Sequence, residues 1–278
     1  SALTGVAAAI PGGLIVLLTD GRGALVLASL AFAVAAALSV QIPATRVAEE
    51  RTDTLERQEL RGSGILLAAT AMGLLRGIVG FLTFLLAFEL RSDDGEAWKF
   101  GMVVVAATVG GVLGAVLAPA LRRSAMTEEK ILQAVLGLTA ISGVVSVFAG
   151  TMVGAPLLAG TVGLAASCGK LAFDAIVQRD APDANRGRSF ARFETRFQMI
   201  WVVGAFIPVI LSIPAWIGFL AVAGCAGFAV LSYIAGQRAV ARGDPIPDRT
   251  AEMRALIRKL RNGDEAKPPG SVREVDAG

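Results

Sequence analysis

Residues 63–90 read SGILLAATAMGLLRGIVGFLTFLLAFEL. Arg76 and Glu89 are the charged residues in this run, and the rest is apolar or small. A bilayer core of about 30 Å needs about 20 such residues in a helix. Lipid offers no partner to a backbone amide, so a segment of this kind satisfies its own amides by becoming helical. Runs of the same character lie on both sides. Together they predict eight spans, roughly 2–19, 23–43, 63–90, 98–120, 129–149, 153–177, 188–212 and 215–236. The fold class is therefore all-α, a polytopic membrane helical bundle of about eight transmembrane helices. The alternating apolar and polar strands of an outer-membrane barrel are absent from the sequence.

Composition supports this. Of 278 residues, 54% are hydrophobic and 18% charged, against about 25% charged in an average soluble domain. A soluble protein this apolar would carry large exposed greasy patches. The chain has no histidine, which excludes a histidine metal site, a histidine base and a histidine pH switch. Cys168 and Cys225 each sit in an apolar run without a loop partner, so packing is expected and a disulfide is not. No P-loop or nucleophile elbow is present, and Asp93-Asp94 stands alone in a loop. We expect no enzyme activity, cofactor or metal. The chain begins at Ser1 with no basic region before its first apolar run. That makes a poor signal peptide, and the expectation is a processed end or the interior of a longer protein.

The breaks between spans alternate in charge. The segment 44–62 carries Arg46, Arg51, Arg57 and Arg61, and the segment 121–130 carries Arg122, Arg123 and Lys130. The segment 178–196 carries Arg179, Arg186, Arg188, Arg192 and Arg196. The intervening breaks hold only Arg22, then Arg91 and Lys99, then none. The positive-inside rule places the basic breaks, Ser1 and the C-terminus in the cytoplasm of a cell-membrane protein. After 237 the chain is broken by Asp244-Pro245-Ile246-Pro247. Met253, Leu256, Ile257 and Leu260 then recur at helical spacing among Arg254, Arg258, Lys259 and Arg261. This reads either as an amphipathic helix on the anionic leaflet or as a solvated helix. Disorder is expected beyond Gly263.

Charges inside spans are costly and mark polar pathways. Arg76 lies mid-span, and Met72, Gly73, Gly80 and Thr83 share its face. It is read as a substrate or ion contact, with a structural ion pair or gate lock as the alternative. Lys170 and Asp174 stand four apart on one helical face, beside Gly163, Ala166 and Ser167. They are a candidate coupling pair, with Asp174 as proton acceptor, or a salt bridge that lets the helix insert. Asp174, about one turn from the expected helix end, favours the second reading for a direct proton role. Gln133 and Gln198 are deep enough to line a cavity or to bond neighbouring helices. Arg188, Arg192 and Arg196 recur every four residues with Phe190, Phe193 and Phe197 between them. In a membrane protein this is a positive-inside anchor, and no nucleic-acid partner is expected.

One region resembles a known family. Gln178-Arg179, Pro182-Asp183 and Arg186-Gly187-Arg188 are followed by a helix with Trp201, Gly204 and Pro208. This is similar to the junction of the tenth and eleventh helices in the major facilitator superfamily, in its actinobacterial drug-exporter-like branch. Gly110-Gly111-x-x-Gly114 running to Leu121-Arg122-Arg123 is similar to the degenerate loop signature between that family's eighth and ninth helices. The resemblance implies that 1–43 holds the last two helices of the N-terminal bundle and 44–62 the central cytoplasmic loop. The complete C-terminal six-helix bundle is then 63–237, with a cytoplasmic tail at 238–278. Helices one to four have no counterpart, so the expected chain is N-terminally truncated and needs them for function. The resemblance also implies secondary active transport of a small molecule by alternating access, as proton-coupled export. Arg122, Arg123, Arg179, Asp183, Arg186, Arg188, Arg192, Glu194 and Arg196 become candidate cytoplasmic gate or anchor residues. The rival expectation is a non-transporting helical membrane scaffold or assembly partner.

Overall fold

The structure is a computed structural model that describes residues 23, 25–38, 63–90, 97–124, 126–180 and 186–242. All described secondary structure is helical. A short apolar helix α1 covers Leu25–Leu38. The longer helices are α2 (Ser63–Glu89), α3 (Ala97–Arg123), α4 (Glu128–Asp180), α5 (Arg186–Ile210) and α6 (Ala215–Ala241). These five are long and apolar enough to cross a membrane. The expected span 2–19 and the loop 44–62 lie outside the described residues. The chain divides into two compact units, Ser1–Gln237 and Arg238–Gly278, and the packing below belongs to the first.

Helix α4 spans 53 residues, but it is not one rod. Gly150 adopts φ 72° and ψ 171°, a left-handed backbone that glycine takes without Cβ strain. A continuous helix would hold Glu128 and Arg179 about 75 Å apart. Instead Arg179 Nη1 lies 3.2 Å from Glu128 Oε2. Midway, Ser142 Oγ and Thr161 Oγ1 are hydrogen-bonded at 3.1 Å. Near the bend, a Cβ on Gly154 would run into the backbone of Ser146. The chain therefore reverses at Gly150. Its two limbs, 128–149 and 151–180, pair antiparallel along their whole length. The separate spans expected at 129–149 and 153–177 are these limbs, and the second runs on to Asp180.

Contacts between helices fix their directions. Gly73 faces Ile200 and Phe197, Gly77 faces Ile200, and Gly80 faces Trp201 and Ala205, so α2 and α5 run the same way. Gly110 faces Gly160 and Gly114 faces Leu164, so α3 runs with the second limb of α4. Gly236 meets Leu67 and Gly218 meets Leu85, so α6 runs against α2. Strict alternation follows from α2 onward. The Arg122, Lys130 and Arg179 ends gather on one side, and Glu89, Lys99 and Gly150 lie towards the other.

Small residues make the closest seams. A methyl on Gly80 would strike the Trp201 carbonyl, and one on Gly204 would strike the Gly77 carbonyl. Such backbone approach replaces the hydrophobic drive that is missing between helices in lipid. Two buried clusters fill the interior. One centres on Met72, Leu75, Leu132, Phe173 and Phe197, and the other on Leu82, Leu85, Leu158 and Phe219. Large apolar side chains also point outward, with Phe148 85%, Ile210 74% and Val116 68% exposed. That outer surface suits a lipid solvent rather than water. Four threonine hydroxyls in the spans are satisfied locally: Thr83, Thr108, Thr139 and Thr161 each donate to the carbonyl four residues back, whereas the buried Ser146 hydroxyl has no partner.

Candidate functional site

Four partly buried charges from three helices meet where α2, α4 and α5 pack. Lys170 and Asp174 lie one turn apart on the second limb of α4, and Lys170 Nζ is 2.6 Å from Asp174 Oδ1. The same ammonium lies 3.3 Å from Glu194 Oε2 on α5. Gln198, one turn further along α5, donates to Glu194 Oε1 at 3.0 Å. Arg76, on α2, places its charge within electrostatic reach of Glu194. Its Nε is buried with no hydrogen-bond partner. Lys170 and Asp174 are each 26% exposed, and Glu194 is 41% exposed.

The site sits off the basic end. Because α4 continues to Asp180, Asp174 is about 9 Å and Lys170 about 15 Å from that terminus along the axis. Asp174 is thus deeper than the one turn expected from sequence. Arg76 lies about 20 Å from either end of α2. A wall of aromatic rings closes one side: Phe173 packs edge-on against Phe193 and Phe197, with centroids 5.4 Å and 5.1 Å apart. The arrangement holds two cations and two anions, all partly exposed, beside the apolar core. An ion or polar group entering it meets partners of either sign.

The chain is similar to the uncharacterized protein ML2143 of Mycobacterium leprae (strain TN). The two are 28% identical over 151 residues, a stretch covering 52% of this chain and 25% of that protein. The chain thus spans about a quarter of the length of the curated relative it matches. No family model matches the chain. No solved structure matches it.

The structure brings together Arg76, Lys170, Asp174 and Gln198 of the expected pathway residues, and adds Glu194 from the expected gate set. Gln133 lies elsewhere, on the first limb of α4, bonded to Gln237 on α6. There it joins helices, and Tyr233 bonds to the same Gln237. Among the expected gate residues, Arg122 pairs with Glu128 at 3.2 Å. Arg179 reaches Glu128, Glu129 and Asp180. Arg123, Arg192 and Arg196 are exposed. Arg186 and Arg188 begin α5, and Asp183 lies outside the described residues. Glu128 and Glu129 were not singled out in the sequence. Their signal is two carboxylates in the first turn of a span, beside an arginine-rich end, where the helix dipole also favours them. Thr127 caps the same turn, accepting from the Lys130 amide at 3.4 Å. No cluster of metal-ligating side chains occurs among the described residues.

At the opposite end a cavity of about 140 Å³ is lined by Glu89, Lys99, Met102, Thr151, Met152 and Pro156. It shares no residue with the charged cluster.

Proposed function

We propose that the chain forms part of a secondary active transporter of the major facilitator type, with eight transmembrane helices and its basic ends in the cytoplasm. It moves a small molecule by alternating access in exchange for protons, and an amphipathic cation is the first substrate to test. The observation that carries this reading is the four-charge cluster of Arg76, Lys170, Asp174 and Glu194. Charges inside an apolar bundle are expensive, and they are kept where they face a pathway. The alternation of helix directions and the concentration of arginines at one end support the same reading. So does the continuity of the cluster across three helices, because groups on separate helices change distance when those helices rock.

The test uses inside-out vesicles containing the full-length protein and a quenched dye that reports an imposed pH gradient. Ethidium and a panel of related amphipathic cations are added in turn. The expected result is compound-dependent proton release, absent from protein-free vesicles and lost in Arg76→Ala. If no compound releases protons above the protein-free level, the transporter reading fails and the scaffold reading takes its place.

A further inference from the structure

Lys170 is shared. Its ammonium touches Asp174 within its own helix at 2.6 Å and Glu194 on another helix at 3.3 Å. The two carboxylates therefore differ in what their charge holds together. The charge on Asp174 acts within one limb of α4. The charge on Glu194 draws α5 towards Lys170 on α4 and towards Arg76 on α2. Among the described residues, the groups that act on Glu194 are Arg76 from α2, Lys170 from the second limb of α4, which also holds Asp174, and Gln198 on its own helix.

We infer that Glu194, rather than Asp174, is the proton-binding carboxylate of this site. The inference rests on the transporter reading only for its physiological use. A proton arriving from the aqueous side adds to a lone pair of Oε2, the oxygen facing Lys170. No covalent bond other than O–H forms or breaks, and the carboxylate becomes a neutral acid. Lys170 then keeps Asp174 as its counter-ion, so protonation leaves no ammonium stranded. Oε1 keeps the Gln198 amide, which donates equally well to a carbonyl oxygen. What is lost is the attraction of α5 for α4 and α2. Protonating Asp174 would instead leave the inter-helix contact with Glu194 intact. The buried, unpartnered Nε of Arg76 belongs to the same design.

The experiment is pH-difference infrared spectroscopy on the reconstituted full-length protein, with no added substrate. The readout is the carbonyl stretch of a protonated carboxylic acid in an apolar surround. The wild type is expected to gain this band on acidification. Glu194→Gln should lack it and Asp174→Asn should keep it, with the folded state of each variant checked by its thermal transition. Loss of the band in Asp174→Asn with retention in Glu194→Gln overturns the inference, as does retention in both. The band reports protonation whether or not anything is moved. Failure of compound-dependent proton release therefore sinks the transporter reading alone, and an unchanged band in Glu194→Gln sinks this assignment alone.

Discussion

Glu128 and Arg179 stand 51 positions apart within a single run of helix, and their side chains close an ion pair at 3.2 Å. Only a complete reversal between them allows it, and the reversal is at Gly150. Single-cysteine variants test this directly. With Cys168 and Cys225 replaced, cysteines at positions 128 and 180 should react with an impermeant maleimide from the same face of the membrane. A cysteine at position 151 should react from the other. Labelling of 128 and 180 from opposite faces would mean one crossing, not two.

The seam between α2 and α5 predicts a sharp contrast among glycines. Gly80→Ala puts a methyl into the Trp201 carbonyl, and Gly204→Ala puts one into the Gly77 carbonyl. The helices must move apart, and overpacking of this kind costs about 1–3 kcal/mol. Gly137→Ala meets nothing within 4 Å. It should stabilise by up to about 1 kcal/mol, because alanine loses less backbone entropy in a helix. Thermal unfolding in detergent ranks the three. A Gly80→Ala protein as stable as wild type would show that the seam is looser than described.

The charged cluster predicts non-additive losses. Lys170→Met removes the ammonium between two carboxylates and should cost about 1–3 kcal/mol, the scale for stranding partly buried partners. Adding Asp174→Asn and Glu194→Gln removes the two stranded carboxylates, and although Arg76 then loses Glu194, removing paired charges together costs less than stranding one partner. The triple variant should therefore unfold at a higher temperature than Lys170→Met alone. Simple addition of three destabilising effects would contradict the shared-ammonium geometry.

Much of this was legible in the sequence, for physical reasons. Long apolar runs have one solution in lipid, so the helices from 63 onward stand close to where their hydropathy put them, and Lys170 with Asp174 paired as their four-residue spacing requires. Glu194 was legible only as a gate or anchor residue, not as a partner of Lys170. It lies among arginines at the start of a span, where local pattern says anchor. Only the packing of α5 against α4 shows that it points at Lys170. For Gln133 the sequence left two readings open, a cavity or a bond between helices, and the structure shows the bond. Depth in a span suggests a cavity, but depth does not tell which neighbour a side chain faces, and its neighbour is Gln237. Glu128 and Glu129 as partners of Arg179 needed the hairpin, because no spacing rule joins residues 51 and 50 positions apart.

Arg179 supplies a last prediction because its fork is used in three directions. Nη1 meets Glu128 at 3.2 Å, Nη2 meets Glu129 at 2.6 Å, and Nε meets Asp180 at 2.7 Å. Glu128 in turn takes Arg122 on its other oxygen at 3.2 Å, which ties α3 to the same knot. A lysine carries the same charge but as a single point, and it cannot span carboxylates on both limbs of a hairpin. Arg179→Lys should therefore lose most of what Arg179→Ala loses. The loss should stay modest, because Arg179 is 50% exposed and exposed pairs contribute up to about 1 kcal/mol each. Glu128→Gln should cost at least as much as Arg179→Lys, since it weakens the limb-to-limb and the α3-to-α4 links together. Raising the salt to about 1 M, where charges are screened within about 3 Å, should shrink all three differences in Tm. Differences that persist unchanged at high salt would show that packing of the arginine stem, not the charge knot, holds this end of the bundle.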